Sequence, residues 1–130
     1  MIAGIGVDLA TVSRIAKVHR RYGKRFANRI LNELELPQYE THGAQDRYLT
    51  KRFAVKEAAV KALGTGERQG VLLKDFYVLN DELGKPQLNV SGQGLVRCTS
   101  LGITEFHVSL SDEGDTVVAF VVLERQPTPL

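Results

Sequence analysis

The 130-residue chain has an ordinary globular composition, with 43% hydrophobic and 25% charged residues. Its length fits one domain over residues 1–130, and a domain of that size buries roughly two-thirds of its unfolded surface. No apolar run approaches the roughly 20 residues that span a membrane, and the N-terminus lacks the basic and apolar regions of a signal peptide. Together with the single cysteine, Cys98, these features predict a cytoplasmic protein without an internal disulfide.

The net charge of +2 hides an uneven distribution of charged residues. Residues 9–32 contain no Asp or Glu but seven of the 17 basic residues, whereas the rest of the chain carries ten basic and 15 acidic residues. A localised positive surface of this kind predicts an acidic partner. Nucleic acid is one alternative, but the segment offers only Tyr22 and Phe26 as stacking aromatics, and helical spacing places both on the buried side with Ile15 and Val18.

The beginning of the chain predicts a strand followed by a helix. Residues 1–7 are apolar throughout, and Gly4 and Gly6 allow another backbone to approach closely. The helix that follows ends or bends at Gly23, and its basic residues form an exposed stripe beside the apolar one.

Two further helices are predicted before the middle of the chain. A short helix covers residues 33–40, with Asn32 as its cap and Glu35 near the positive end of its dipole. A long helix of strong helix formers covers residues 46–63 and stops at Gly64.

The second half of the chain changes to short β-prone runs separated by turns. Strands are predicted over residues 76–79, 87–90, 104–110 and 116–123, with a short helix over residues 95–101. The order of elements indicates an α+β fold, in which an antiparallel sheet packs against the long helix and the shorter helices.

The long helix carries an unusual acid. Glu57 falls inside an apolar stripe that includes Phe53 and Val60, and Lys61 follows one turn later. A carboxylate on an apolar face is costly unless it is paired or holds a metal. One interpretation is a simple Glu57–Lys61 surface pair, worth about 0.2–0.5 kcal/mol. The other joins Glu57 to Asp8 at the end of the first strand, because Mg²⁺ is typically held by one or two carboxylates together with substrate phosphates.

Other groups near these acids suit a phosphate ligand. Arg52 and Lys56 lie on the same helix and offer positive charge. The glycine-rich turn GTG at residues 64–66 can present backbone N–H groups to an anion, although a helix stop explains Gly64 equally well. On the predicted strand near residue 107, His107 and Ser109 are two residues apart and point the same way, with no acid evident in the sequence to orient the histidine.

Three motifs resemble one known family. The segments GIGVDLATVSRI, RFAVKEAAVKALGTG and FHVSLSD are similar, in order and separation, to those of the holo-[acyl-carrier-protein] synthases, small bacterial members of the 4′-phosphopantetheinyl transferase superfamily. The resemblance covers essentially the whole chain. It implies that the chain transfers the phosphopantetheine arm of coenzyme A to a serine of apo-acyl carrier protein, releasing adenosine 3′,5′-bisphosphate, in fatty acid biosynthesis.

The resemblance also implies roles for individual residues. Asp8 and Glu57 look like the Mg²⁺ ligands, and Lys61 looks like a phosphate-binding lysine that also donates a proton to the leaving group. The coenzyme A contacts would be Arg52, Lys61, Gly64, Thr65, Gly66 and His107. The residues that dock the carrier protein would be Arg14, Arg21, Arg25 and Phe26.

The family also implies a quaternary structure. Its members are usually homotrimers with the active site between adjacent subunits, and we expect the same arrangement here, without nucleic acid or membrane as partners. The alternative function is a non-catalytic module whose basic helix binds nucleic acid and whose acids are structural.

Overall fold

The computed structural model describes residues 1–65 and 69–127. Within this part, the chain forms five helices and five strands. The strands are β1 (Ile2–Thr11), β2 (Phe76–Asn80), β3 (Pro86–Val90), β4 (Ile103–Glu113) and β5 (Thr116–Arg125). The helices are α1 (Val12–Tyr22), α2 (Lys24–Ile30), α3 (Leu36–Thr41), α4 (Gln45–Leu63) and α5 (Gly92–Ser100), and a single 3₁₀ turn covers Leu73–Asp75.

The strands form two antiparallel sheets. The larger sheet has the order β1-β5-β4, so that β1 and β4 are its two edges. Its register places Asp8 opposite Ala119 and His107 opposite Val122. The smaller sheet is the β2–β3 hairpin, whose turn is closed by the Asp81 carboxylate as it accepts hydrogen bonds from two backbone N–H groups within the turn.

The core lies between the larger sheet and α4. Alternate residues of β5 are fully buried because the period of a strand is two, and these face the helix. They are Val117, Ala119, Val121 and Leu123. Small residues of α4, Ala54, Ala58 and Ala59, complete the contact, and their size lets the helix lie close to the sheet. A second cluster of buried side chains joins α1, α2 and α3 to the first half of α4.

The predicted α+β class is confirmed, since an antiparallel sheet packs against the long helix. The prediction for α3 is wrong at its start, because the helix begins at Leu36 rather than at residue 33. Residues 33–35 form a turn instead, in which the Asn32 side chain accepts a hydrogen bond from the Leu34 N–H. Glu35 therefore precedes the helix, and its carboxylate is buried rather than exposed at the helix end.

In the described part of the chain, no helix is both long enough and apolar enough to cross a membrane.

Candidate active site

Two glycines bring β1 into direct contact with α4. A Cβ atom added at Gly4 would lie 1.9 Å from the carbonyl oxygen of Ala62, and one added at Gly6 would lie 2.0 Å from that of Ala58. No side chain fits at these distances, so glycine at both positions is what permits the contact. Asp8 continues the same face of the strand two residues later and is thereby placed beside the helix.

Asp8 and Lys61 form an ion pair between β1 and α4, which we call the β1 cluster. The Lys61 ammonium donates hydrogen bonds to the Asp8 carboxylate at 3.0 Å and to the Val7 carbonyl at 3.1 Å. The Asp8 side chain is 15% exposed and that of Lys61 is 55% exposed, so the pair opens to solvent. The first strand and the long helix thus bring together Asp8 and Lys61, two of the three residues that the sequence singled out for chemistry.

Glu57 lies one helical turn before Lys61 and is half-buried. It does not face the core as its periodicity predicted. Together with Phe53 it lines an open groove of about 710 Å³ between α2, α4 and the 3₁₀ turn, which we call the α2 groove. The predicted carrier-docking residues Arg25 and Phe26 line the same groove. The apolar side chains Val18, Ile30 and Leu73 also line this groove. Two further cations, Arg29 and Lys74, line it as well.

The basic face of α1 and α2 is exposed as predicted. Arg14, Arg21 and Arg25 are all accessible, and Phe26 is half-buried. The prediction that Tyr22 lies on the buried side is wrong: it is 48% exposed, with the Arg21 guanidinium stacked over its ring at 5.3 Å.

Two polar contacts fix α1 to the rest of the molecule. The His19 ring bonds the Asp46 carboxylate and the Tyr39 hydroxyl, each at 2.7 Å, and links the helix to α3 and α4. At the other end of the helix, the Asp115 carboxylate in the β4–β5 turn accepts hydrogen bonds from the Ser13 N–H and hydroxyl. The basic residues are therefore carried on an anchored element.

A buried cluster of charges lies on another side of α4. Glu35, Arg52 and Lys56 are each no more than 5% exposed. The Lys56 ammonium donates to the Glu35 carboxylate at 2.7 Å and to the Phe76 carbonyl. Burial lowers the pKa of Lys56, and the adjacent Glu35 carboxylate opposes this shift. The expectation that Lys56 binds a phosphate is wrong, since its ammonium has no access to solvent.

Arg52 reaches a second groove from this cluster. The groove, of about 490 Å³, lies between the first half of α4, the β2–β3 turn and the edge strand β4, and we call it the β4 groove. Four cations line it, Arg47, Lys51, Arg52 and Lys85, of which Arg47 and Lys51 are ion-paired with Asp112 at 2.9 and 3.8 Å. Such a concentration of cations favours an anionic ligand.

His107 lies on the face of the larger sheet that points away from α4, whereas Asp8 lies on the face toward the helix. One chain therefore does not bring His107 to the β1 cluster. Its Nε2 atom lies 2.5 Å from the Glu124 carboxylate, so the histidine does have an acidic partner, contrary to the reading of the sequence.

The GTG turn is described in part. Gly64 ends α4 with φ at +83°, in the left-handed region that favours glycine, and its N–H donates to the carbonyls of Val60 and Lys61. That donor is therefore used by the helix end. Thr65 follows as a half-buried bend residue, and Gly66 lies outside the described residues. A coenzyme contact at this turn stays a prediction.

Sequence reasoning missed Glu35 as a part of the site. One signal was available: the spacing Asn32-x-x-Glu35 matches a capping box, and the Glu35 carboxylate does accept a hydrogen bond from the Asn32 N–H at 2.9 Å. The partners Lys56 and Arg52 are distant in sequence and gave no signal.

Comparison with known proteins identifies the family. Residues 4–121 match the model of the 4′-phosphopantetheinyl transferase superfamily. The chain belongs to this superfamily. A holo-[acyl-carrier-protein] synthase of Photorhabdus laumondii is 50% identical over 124 residues, which covers 95% of this chain and 98% of the relative.

Two crystal structures extend the match to three dimensions. The synthase of Neisseria meningitidis superposes with a TM-score of 0.89 at 43% identity and covers 96% of this chain and 100% of its own. The synthase of Bacillus anthracis, solved in complex with coenzyme A (3′,5′-ADP), superposes with a TM-score of 0.79 at 35% identity and covers 97% of this chain and 99% of its own. The predicted phosphopantetheinyl transferase family, fold and enzyme class are thereby confirmed, and these enzyme relatives displace the alternative of a non-catalytic module.

Proposed function

We propose that the β1 cluster carries the transfer of phosphopantetheine from coenzyme A to a serine hydroxyl of apo-acyl carrier protein. The observation that supports this best is the Asp8–Lys61 contact at 3.0 Å, made in a phosphopantetheinyl transferase between its first strand and its long helix. The serine hydroxyl gives its proton to the Glu57 carboxylate or to water as its oxygen bonds to the β-phosphorus of coenzyme A. The bond from this phosphorus to the bridging oxygen breaks, and adenosine 3′,5′-bisphosphate leaves. The product is holo-acyl carrier protein, which places the reaction in fatty acid biosynthesis.

Lys61 has the position and exposure that a phosphate-neutralising residue needs. Its ammonium is 55% exposed beside the Asp8 carboxylate, so a phosphate oxygen of a bound substrate can reach it. The ammonium would stabilise the charge that develops on the leaving oxygen and supply the proton, a contribution that is typically worth about 10²–10³ in rate.

The carboxylates of Asp8 and Glu57, the pair that the family resemblance implies, would hold the magnesium ion. Within residues 1–65 and 69–127, no group of three or more His, Cys, Asp or Glu side chains is arranged to hold a metal ion. Two carboxylates suffice for Mg²⁺ when substrate phosphates and water complete its six ligands, and hard oxygen donors are the type it prefers. Bound there, the ion would neutralise charge on the pyrophosphate.

The β4 groove would hold the nucleotide half of coenzyme A. Arg52 at its floor, with Lys51, Arg47 and Lys85 around it, suits a phosphate monoester next to a nucleoside. His107 lies on the outer face of the same edge strand, and its contact with coenzyme A stays a prediction of the family resemblance.

The separation of the two regions supports a homotrimer. The β1 cluster lies at one edge of the larger sheet and the β4 groove at the other. A head-to-tail interface repeated around a three-fold axis would bring the β1 edge of one subunit to the β4 edge of the next. The outward face of the sheet also carries the exposed apolar side chains Ile5, Val7, Leu9 and Phe120, which association would cover.

The exposed arginines Arg14, Arg21 and Arg25 would dock the acidic carrier protein, with Phe26 at the mouth of the α2 groove beside Glu57. The carrier serine would thus reach Glu57 from the side of the basic helices. We also infer that residues 1–130 act as one catalytic domain. The cytoplasmic location and the absence of nucleic acid as a partner stay predictions.

One assay tests the function directly. The protein is incubated with coenzyme A, Mg²⁺ and apo-acyl carrier protein, and the mass of the carrier protein is measured by mass spectrometry. We expect a mass gain of one phosphopantetheine. Glu57→Gln should reduce the rate at least about a hundredfold while circular dichroism stays unchanged, because the amide cannot replace the carboxylate charge.

The matched control is Glu82→Gln in the exposed β2–β3 turn, which should remain fully active. A fully active Glu57→Gln variant would remove Glu57 from the mechanism. A carrier that gains no mass with the unaltered protein would contradict the function itself.

A further inference from the structure

The Glu35 carboxylate is shared between two buried cations. One oxygen accepts hydrogen bonds from the Lys56 ammonium at 2.7 Å and from the Asn32 N–H at 2.9 Å. The other accepts from the Val78 N–H at 3.0 Å and lies 3.5 Å from Nε of Arg52. Glu35 therefore connects the turn before α3, the long helix and strand β2 at one point.

Arg52 is held in place, but one of its buried donors lacks an acceptor. Its Nε atom is buried and makes no hydrogen bond within the described residues. One terminal nitrogen donates a long hydrogen bond, at 3.5 Å, to the Gln38 side-chain oxygen. A guanidinium carries five N–H donors in a rigid fork, and buried donors without acceptors are costly. The position of this guanidinium at the β4 groove suits an anion that accepts from the fork.

Glu35 orients Arg52 in a second way, through Tyr48. The guanidinium of Arg52 stacks over the Tyr48 ring at 4.8 Å, and the Tyr48 hydroxyl donates to the backbone carbonyl of Glu35 at 3.2 Å. The carboxylate of Glu35 thus holds the Nε side of the guanidinium, while its carbonyl holds the ring on which the guanidinium rests. Burial raises the pKa of the Tyr48 hydroxyl, so it remains a donor at neutral pH.

We infer that Glu35 is a positioning residue for substrate binding: through its carboxylate and through Tyr48 it fixes the Arg52 guanidinium at the β4 groove, where the guanidinium binds the 3′-phosphate of coenzyme A. The inference rests on the proposed function, because it takes the nucleotide half of the substrate to lie in this groove. Glu35 itself touches no substrate, since its side chain is fully buried.

Kinetics with two substrates separate positioning from stability. Coenzyme A and 3′-dephospho-coenzyme A differ only in the 3′-phosphate. In Glu35→Gln we expect KM for coenzyme A to rise at least fivefold, with kcat and KM for the dephospho substrate within twofold of the unaltered protein. A purely structural role would change both substrates alike. Glu33→Gln, which removes the same charge two residues away at an exposed site, is the control.

A second variant covers the case in which Glu35→Gln does not fold because Lys56 loses its partner. Tyr48→Phe keeps the ring under Arg52 and removes only the hydrogen bond to Glu35. It should raise KM for coenzyme A about two- to threefold, again without effect on the dephospho substrate. This effect should vanish when Arg52→Met is already present, since the two residues act through one contact.

Equilibrium binding gives a readout that does not depend on turnover. Calorimetric titration with adenosine 3′,5′-bisphosphate should show weaker binding in Tyr48→Phe and Glu35→Gln, whereas 5′-AMP should bind each variant as it binds the unaltered protein. Equal losses for both nucleotides, or no loss for either, would overturn the positioning role. Holo-carrier formation by the unaltered protein in the same experiments would show that the proposed function survives that outcome.

Discussion

The β1 cluster and the β4 groove both present charge to a ligand, but the protein builds them in different ways. In the β1 cluster, backbone packing at Gly4 and Gly6 places Asp8 beside Lys61, whose ammonium remains open to solvent. At the β4 groove, a buried carboxylate, Glu35, holds a buried guanidinium, Arg52. If the proposed function holds, the ammonium that neutralises the reacting phosphate is exposed and free to adjust, whereas the guanidinium that recognises a fixed phosphate is held from beneath.

The comparison is sharpest for two lysines on the same helix, Lys61 and Lys56. We expect Lys61→Met to reduce kcat about 10²–10³-fold with little change in thermal stability, since Lys61 is exposed. Lys56→Met should instead lower the free energy of unfolding by on the order of 3 kcal/mol, because it removes the strongest partner of a buried carboxylate.

The measurements for this pair are carrier modification under saturating substrates and urea unfolding of each variant. A Lys56→Met variant that is inactive but as stable as the unaltered protein would contradict the structural role of Lys56. A fully active Lys61→Met variant would contradict the catalytic role proposed for Lys61.

The contact between β1 and α4 that positions Asp8 can be disrupted without changing the Asp8 side chain. Gly6→Ala should destabilise the fold by about 2–4 kcal/mol or prevent folding, because its Cβ would lie 2.0 Å from the Ala58 carbonyl oxygen, which belongs to helix backbone. Gly43→Ala is the matched control, since a Cβ there meets nothing within 4 Å. Thermal unfolding followed by circular dichroism compares the two, and equal stability would show that β1 can move away from α4.

The basic helices should give a smaller effect that is confined to the carrier protein. Arg14→Ala is expected to raise KM for the carrier about two- to fivefold and to weaken the dependence of that KM on salt, while KM for coenzyme A stays constant. Arg125→Ala removes an exposed arginine at the far end of β5 and serves as control. An unchanged carrier KM in Arg14→Ala would place the docking surface elsewhere.

Local patterns in the sequence predicted most of the fold. The long helix was predicted to within one residue because its helix formers and Gly64 are local signals. The β-branched run of β5 and the turn at Gly114 likewise specified the β4–β5 hairpin. Gly6 was predicted to permit close approach of a backbone, and the Ala58 carbonyl is the group it meets.

The site was harder to predict, because its parts depend on pairing between distant segments. Helical periodicity placed Glu57 on an apolar face but does not distinguish a core from the wall of a groove. The contact between His107 and Glu124 depends on the register of two strands. Glu35 resembled a helix-end acid, because its burial against Lys56 depends on packing between segments that are distant in sequence.

The central claim is that one active site uses the β1 cluster of one subunit and the β4 groove of the next. Lys61→Met and Arg52→Met each disable one region, and Arg52→Met leaves the Glu35–Lys56 pair intact. Each variant is measured alone for carrier modification, and then the two are unfolded together and refolded as a mixture.

If the site is shared, random mixed trimers should recover about a quarter of the unaltered activity, because one pairing in four joins an intact cluster to an intact groove. A mixture no more active than the average of its two parents would contradict the shared site and place both regions in one subunit.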